Sequence, residues 1–369
     1  MDLELCAPCL FGLEGPLGNE LRHMDMESVR GENGRVYFRG DENALARANV
    51  RSRFAERILL VMGRFPAPTF DALFEGVRAL PWEDFIPADG AFPVKGWSLE
   101  SALHSVPDCQ RIVKKAVAER LKGVTGIEWF AETGAEFPVQ FAIMKDQAVL
   151  YLDTSGVGLH KRGYRPAQVA APLRETLAAA VVDIARYRGR GDFCDPFCGS
   201  GTIAIEAALA ALNRAPGLHR SFLAEKWPWL PREIWTDERR EAESREYRGE
   251  YHIYASDIDP KAVATARANA KRAGVEECID FSVADARSFS RPTENGVICT
   301  NPPYGERMLE KEEAGELYRA FGRAVRSVPG WRCCILSSHE RFENCFGARA
   351  DKRRRLYNGM IPCQLYTYR

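Results

Sequence analysis

The sequence predicts an α/β fold: a mostly parallel, doubly wound sheet in the C-terminal half, preceded by an α+β N-terminal region. Three observations carry this expectation. From residue 171 onward, helical and strand-like segments alternate at the period that places helices on both faces of a parallel sheet. Residues 1–155 instead mix short strands and helices with Pro and Gly turns between them. A chain of 369 residues also exceeds one ordinary domain. The expected partition is an N-terminal unit over 1–155, a linker over 156–170 and a second domain over 171–369.

Composition narrows the function classes. Hydrophobic residues make up 46% and charged residues 28%, the proportions of a globular protein in water. No stretch approaches the ~20 apolar residues needed to span a bilayer, and Met1-Asp2-Leu3-Glu4 lacks the basic start of a signal peptide. The expectation is a cytoplasmic protein with no membrane partner. Eleven cysteines without framework spacing fit that compartment rather than a disulfide scaffold. Cys6 and Cys9 form a lone C-x-x-C without a second pair, so no metal is expected; Cys6 reads as part of a short apolar strand and Cys9 as the turn after it. With 51 basic and 51 acidic residues the chain is not coated in positive charge. Any nucleic-acid face must be local.

In the N-terminal unit, Leu3 to Leu5, Val36 to Phe38, Phe137 to Ile143 and Ala148 to Asp153 read as strands, and Asn43 to Leu60 and Pro107 to Leu121 as helices. In the second helix Ile112, Val113, Ala116, Val117 and Leu121 share one face, leaving Arg111, Lys114, Lys115 and Arg120 largely outside it. Those cations are either a solvated face or an RNA contact. The segment Leu159-His160-Lys161-Arg162-Gly163-Tyr164-Arg165-Pro166 is a basic stretch before a new helix. It suits a phosphate or a cofactor carboxylate better than a plain linker.

The second domain reads as helix 171–187, strand Asp192 to Cys194, helix 200–213, strand Tyr251 to Ser256, helix 260–273 and strand Ile279 to Val283. Strand Gly296 to Thr300, helix 312–327 and strand Trp331 to Leu336 follow, and the end from Cys345 is strand-rich, suited to antiparallel edge strands. Residues 215–250 interrupt the alternation with Trp227, Trp229 and Trp235. Packing of an inserted arm is the preferred reading of these aromatics over base stacking.

Four motifs stand at successive strand ends. Asp195-Pro196-Phe197-Cys198-Gly199-Ser200-Gly201 supplies glycines for a tight turn and close ligand approach. It matches neither the phosphate loop nor the dinucleotide fingerprint. Asp195 directly before the loop disfavours an anion and suits a cationic ligand, such as the amino group of S-adenosylmethionine. Asp257, in Ser256-Asp257-Ile258-Asp259, is placed to accept from both ribose hydroxyls; Asp259 can cap the next helix. Asp285, before Ala286, can accept from an adenine amine or simply form a turn. In Thr300-Asn301-Pro302-Pro303-Tyr304-Gly305 two prolines remove two backbone donors. The Asn301 side-chain oxygen and the Pro302 carbonyl can then accept both hydrogens of an amine and aim its lone pair at a methyl group. Tyr304 can stack on a base.

With these motifs in this order, the C-terminal half resembles the amino-methylating class I S-adenosylmethionine-dependent methyltransferases, which have a Rossmann-like domain. The whole chain resembles the THUMP-containing RNA methyltransferases, especially the bacterial group similar to 23S rRNA guanine-N2 methyltransferases. The resemblance also rests on Thr69-Phe70-Asp71-Ala72-Leu73-Phe74, on His104-Ser105-Val106-Pro107-Asp108-Cys109-Gln110, and on Asp153-Thr154-Ser155-Gly156 with Leu159 to Arg165. It implies an N-terminal ferredoxin-like piece plus a THUMP module that binds RNA, and S-adenosylmethionine as cofactor. It further implies that Asp195, Phe197, Gly199, Gly201, Asp257 and Asp285 contact that cofactor; Cys198, Ile258, Ala286 and Asn301 complete the candidate cofactor set. Asn301, Pro302, Pro303 and Tyr304 are the candidate catalytic residues. Lys114, Lys115, Lys161, Arg162 and Arg165 are the candidate RNA contacts. The implied reaction is methylation of the exocyclic N2 amine of a guanine in 23S rRNA, with tRNA as the alternative RNA. A noncatalytic RNA-binding or ribosome assembly factor is the alternative class. The family's longer enzymes, with a second methyltransferase unit, are matched only in their first unit.

Overall fold

Two seven-stranded sheets organise the molecule. The structure is a computed structural model that describes residues 1–165, 173–290, 293–304, 308–326 and 330–369, with the side chains of 308–311 left aside. Pro166, the end of the basic stretch, lies outside the described residues.

The first sheet is built from β1 (Leu3–Pro8), β2 (Glu27–Glu32), β3 (Arg35–Gly40), β4 (Leu59–Pro66), β5 (Val94–Leu99), β6 (Val139–Met144) and β7 (Gln147–Asp153), with α1 (Glu14–His23), α2 (Glu42–Arg51), α3 (Phe70–Arg78) and α4 (Val106–Thr125). Its strand order is β2-β3-β1-β4-β7-β6-β5. The central strand β4 pairs antiparallel with β1 on one side and β7 on the other, so two α+β units share one continuous sheet. Residues with alternating sidedness explain the strands: Leu3 and Leu5 of β1 join the main core, while Cys6 packs with Tyr37 and Tyr151 on the opposite face.

The helix expected over Asn43 to Leu60 is corrected. It stops at Arg51, and Ser52 takes an extended conformation. Ser52 Oγ donates to Glu20 at 2.7 Å and the Arg53 amide donates to the same carboxylate at 2.8 Å, which pulls the chain off the helix axis. The apolar run from Ile58 then enters β4. Short apolar runs read equally as buried strand or buried helix, and the pairing partners on both sides decide the matter here.

The second domain contains α5 (Glu175–Ile184), β8 (Asp192–Asp195), α6 (Thr202–Ala211), α7 (Arg232–Ser244), β9 (Ile253–Asp257), α8 (Pro260–Arg272), β10 (Ile279–Val283), β11 (Gly296–Thr300), α9 (Met308–Arg326), β12 (Trp331–Ser337), α10 (Phe342–Phe346), β13 (Lys352–Asn358) and β14 (Ile361–Tyr368). The strand order is β10-β9-β8-β11-β12-β14-β13. Strands β8 to β12 run parallel, β14 is antiparallel to β12, and β13 is an antiparallel edge strand. The order reverses between β8 and β11, and ligands of such sheets sit beyond the carboxyl ends of the strands at that reversal. No helix among the described residues is long and apolar enough to cross a membrane.

The inserted segment 215–250 packs against the N-terminal sheet. Trp227 stacks on Phe137 with ring centroids 5.0 Å apart, and its Nε1 donates to the Glu136 carbonyl at 2.9 Å. Trp235 is buried against Phe222. Glu238 of α7 pairs with Arg47 and Arg51 of α2. Aromatic pairs of this kind add ~0.5–1.5 kcal/mol beyond their buried area. The arm therefore clamps one domain to the other.

Candidate active site

The four motifs converge at one end of the second sheet because successive parallel strands all point their carboxyl ends there. Asp195 closes β8 and Thr300 closes β11, its neighbour. The Thr300 hydroxyl donates to Asp195 Oδ1 at 2.6 Å, locking the two strand ends together. Asp195 is fully buried, and burial pushes its carboxyl up to about 7 despite the hydrogen bond from Thr300. The nearby Asp257 charge adds to the rise.

Beyond Asp195 the chain turns through Gly199 and Gly201, both at positive φ. At Gly201 a Cβ would stand 2.9 Å from the Ala266 Cβ, so glycine lets the start of α6 pack on α8. At Gly199 a Cβ would meet nothing within 4 Å, because that face opens onto the cleft. The Gly199 amide donates to Asp257 Oδ2 at 3.0 Å, and the Asp259 amide donates to Asp257 Oδ1 at 3.0 Å. These bonds hold the Asp257 carboxylate still while leaving lone pairs on both oxygens. Asp259 caps α8 as expected, accepting from the Lys261 amide at 2.9 Å. Asp285 is held by Arg287, whose guanidinium keeps the carboxyl below its usual range.

Asn301 and Tyr304 interact directly. The Tyr304 hydroxyl donates to Asn301 Oδ1. Tyr304 is itself half-buried beneath the β13–β14 hairpin, with Cys363 Sγ 3.7 Å from its hydroxyl, and burial raises the phenol strongly. The Pro303 carbonyl accepts from the Tyr318 hydroxyl of α9. This web orients the Asn301 amide, an arrangement that spacing alone did not suggest.

A cleft of about 860 Å³ lies above these strand ends. Phe197, Gly199, Asp257, Ile258, Asp285, Ala286, Asn301 and Pro303 line it. Asp195, Cys198 and Gly201 do not reach its surface; they support the loop from below. The opposite wall comes from Glu313, Glu316, Leu317 and Ala320 of α9, together with Arg287. Sequence reasoning missed that wall, because an amphipathic helix shows which face is apolar but not which edge overhangs a cleft. A larger concavity, about 1130 Å³, opens at the amino ends of β9 and β10 near Tyr251 and Cys278. It lies away from every motif, and the smaller cleft is where the chemistry-bearing residues meet.

Two of the expected RNA contacts are corrected. The Arg162 side chain is 3% exposed, donates to the carbonyls of Leu159 and Arg53, and lies 3.6 Å from the buried Glu206 carboxylate of α6. Arg165 pairs with Glu175 at 2.6 Å and reaches the Thr202 hydroxyl at the start of α6. Both arginines tie the linker to the helix after the glycine loop, and internal carboxylates take up their charge. Lys114 is half-buried against Phe92 and pairs with Glu132 at 2.5 Å. Lys115 and Lys161 are exposed.

The Asp153-Thr154-Ser155 motif is also internal. Asn49 of α2 donates to Thr154 Oγ1 at 2.9 Å and accepts from Ser155 Oγ at 2.6 Å, while Ser155 Oγ accepts from the Ile58 amide. These buried, mutually satisfied groups fix the exit of β7.

Comparison with known proteins agrees with this geometry. Residues 162–367 match the model of the RMKL-like methyltransferase domain, residues 4–59 the RlmL ferredoxin-like domain and residues 67–153 the THUMP domain. The chain belongs to the RMKL-like methyltransferase family. It is 46% identical over 367 residues to the putative RNA methyltransferase YpsC of Bacillus subtilis, covering 99% of this chain and 95% of that protein. It is 34% identical over 374 residues to the ribosomal RNA large subunit methyltransferase K/L of Marinobacter nauticus, covering 98% of this chain but 52% of that one. The chain thus spans about half the length of the K/L relatives. Among solved structures, the putative methyltransferase SMU.472 complexed with SAH superposes with a TM-score of 0.95 at 39% identity, covering 100% of this chain and 98% of that one. The RMKL-like domain is a methyltransferase domain that uses S-adenosylmethionine. The donor set here fits that cofactor: a fixed carboxylate for hydroxyls at Asp257, open space over Gly199, and apolar Phe197 and Ala286 beside it.

Proposed function

We propose that this protein methylates the exocyclic N2 amine of a guanine in 23S rRNA. The carrying observation is that Asn301 and Pro303 line the same cleft as Asp257 and Gly199, so an amine and a methyl donor can share one enclosure. S-adenosylmethionine supplies an electrophilic methyl group when bound. Asp257 would hold its ribose, Asp285 its adenine amine, and Phe197, Ile258 and Ala286 its apolar flanks. Asn301 Oδ1 and the Pro302 carbonyl would accept the two amine hydrogens, which takes the nitrogen lone pair out of conjugation and aims it at the methyl. Tyr304, donating to Asn301 Oδ1, would keep that oxygen in place until the amine arrives. Alignment supplies most of the rate enhancement, so no cysteine nucleophile is assigned. A paired base would first leave its stack, at a cost of a few kcal/mol.

The THUMP match and the relatives named RNA methyltransferases support RNA as the substrate. The K/L relatives' name supports the large ribosomal RNA. Guanine N2 follows from the resemblance, and tRNA remains the alternative RNA. Exposed Lys115 and Lys161 are retained as RNA contacts, and Lys114, already paired with Glu132, is set aside. The test is incubation of the protein with methyl-labelled cofactor and RNA from cells lacking the gene. Label in 23S rRNA supports the proposal, label in tRNA favours the alternative, and cofactor binding without label in any RNA contradicts catalysis and leaves a noncatalytic RNA-binding factor.

A further inference from the structure

The edge strand β13 carries Lys352-Arg353-Arg354-Arg355, and all four side chains are exposed. From residue 349 to 369 there are six basic residues and one acidic, in a chain whose net charge is zero. Only Arg353 of the four is paired with a carboxylate among the described residues, with Glu343 of α10. Arg354 approaches the Gly12 carbonyl at 3.5 Å, and Arg355 lies over the Tyr357 ring, 5.4 Å from its centroid. Tyr357 in turn meets the edge of Phe11, which is 56% exposed on the neighbouring N-terminal unit. Four cations and the Tyr357–Phe11 ring pair therefore lie together along this edge, whose backbone at Arg355 meets the Gly12 turn.

Strand register places this row at the height of the active site. Thr300 is level with Ile335, Ile335 with Tyr366, and Tyr366 with Arg353. Arg354 and Arg355 continue toward the end where Asn301 follows Thr300. Three strand spacings separate β11 from β13, about 14 Å. The same hairpin covers Tyr304 through Cys363. A strand bearing a base in the cleft would continue across this edge.

We infer that the β13 edge, with Tyr357 and Phe11, is a docking strip for the single-stranded RNA that flanks the target base. Arginines would hold phosphates and the aromatic pair would take an unstacked base. The inference rests on the reading of RNA as substrate. The plainer role for charge on an edge strand is to block pairing with another sheet. That role is indifferent to sign, whereas RNA binding is not, so charge reversal separates the two.

The experiment compares the parent with Arg354→Glu/Arg355→Glu, and with Arg354→Gln/Arg355→Gln in case the reversed pair perturbs folding. The probe is a fluorescein-labelled poly(U) of about 30 nucleotides, titrated at several salt concentrations between about 0.05 and 0.2 M. Calorimetric binding of S-adenosylhomocysteine reports an intact cleft in each variant. Each lost phosphate contact on a single strand should make the salt dependence shallower by about 0.7 in log–log slope, so the pair predicts about 1.4 together with a roughly tenfold or larger loss of affinity. Unchanged affinity and slope in both variants would overturn the inference and leave edge protection as the explanation. Failure of the parent to bind the oligonucleotide at the lowest salt would also overturn it. RNA binding that is lost on charge reversal, in a parent that transfers no methyl group, would uphold the strip and refute only the proposed activity.

Discussion

Replacing Asp257 offers the most quantitative test of the cofactor site. Each of its carboxylate oxygens accepts one backbone amide at 3.0 Å, from Gly199 and from Asp259, and each keeps capacity for one more donor. If two ribose hydroxyls take those places, the variant Asp257→Ala loses two hydrogen bonds to a charged acceptor. Such bonds contribute ~1.5–3 kcal/mol each. The expected loss is therefore about 3–6 kcal/mol, or roughly 10²- to 10⁴-fold in S-adenosylhomocysteine affinity. Asp257→Asn keeps one acceptor oxygen and should fall between parent and Ala. Isothermal calorimetry on the three proteins gives the order directly, with circular dichroism to confirm that each is folded. An affinity for Asp257→Ala within threefold of the parent's would refute the assignment, whatever happened to turnover.

Four further outcomes follow from the same geometry. Asn301→Ala should abolish methyl transfer while S-adenosylhomocysteine affinity stays nearly unchanged; a large loss of affinity would show that the residue holds the cofactor instead. Arg162→Ala should lower thermal stability by the ~3–5 kcal/mol typical of stranding a buried partner, here Glu206, without changing the salt dependence of RNA binding; a changed salt slope at unchanged stability would restore it as an RNA contact. Asp195 gives a pH signature: its folded carboxyl, at about 7, lies above the unfolded value of 3.8. Between about pH 4 and 7 the folded chain keeps a proton that the unfolded chain has released, so this group's contribution to stability falls as pH rises, by up to ~1.4 kcal/mol per pH unit. Asp195→Asn should remove that slope in denaturant titrations, and identical slopes in both proteins would count against a protonated buried Asp195. Gly199→Val and Gly201→Ala each place a side chain at positive φ and should both lower stability; only the side chain placed at Gly199 enters the cleft and should also weaken cofactor binding, which calorimetry reads, while the Cβ placed at Gly201 meets Ala266 and should add to the loss seen in thermal melts.

The parallel half of the fold was legible because four of its five strands end at or just before a motif residue: Asp195, Asp257, Asp285 and Asn301 all stand where alternation put them. The cleft floor followed from the last three of those positions, with Asp195 beneath it. Three features were not legible. The strand β4 shares an apolar run that a helix pattern also fits, and its identity depends on β1 and β7, far away in sequence. The α9 wall depends on how a helix overhangs the strand ends. The roles of Arg162 and Arg165 depend on Glu206 and Glu175, whose burial local charge patterning cannot reveal. A basic stretch looks the same in sequence whether its partner is a phosphate or an internal carboxylate.

The proposed activity is tested most directly by mass spectrometry of nucleosides from purified 23S rRNA of cells with the gene, without it, and without it but carrying the Asn301→Ala form. The account predicts that one N2-methylguanosine present in the first is missing from the second and third. An unchanged nucleoside profile across all three, or loss of a different methylated base, would contradict it.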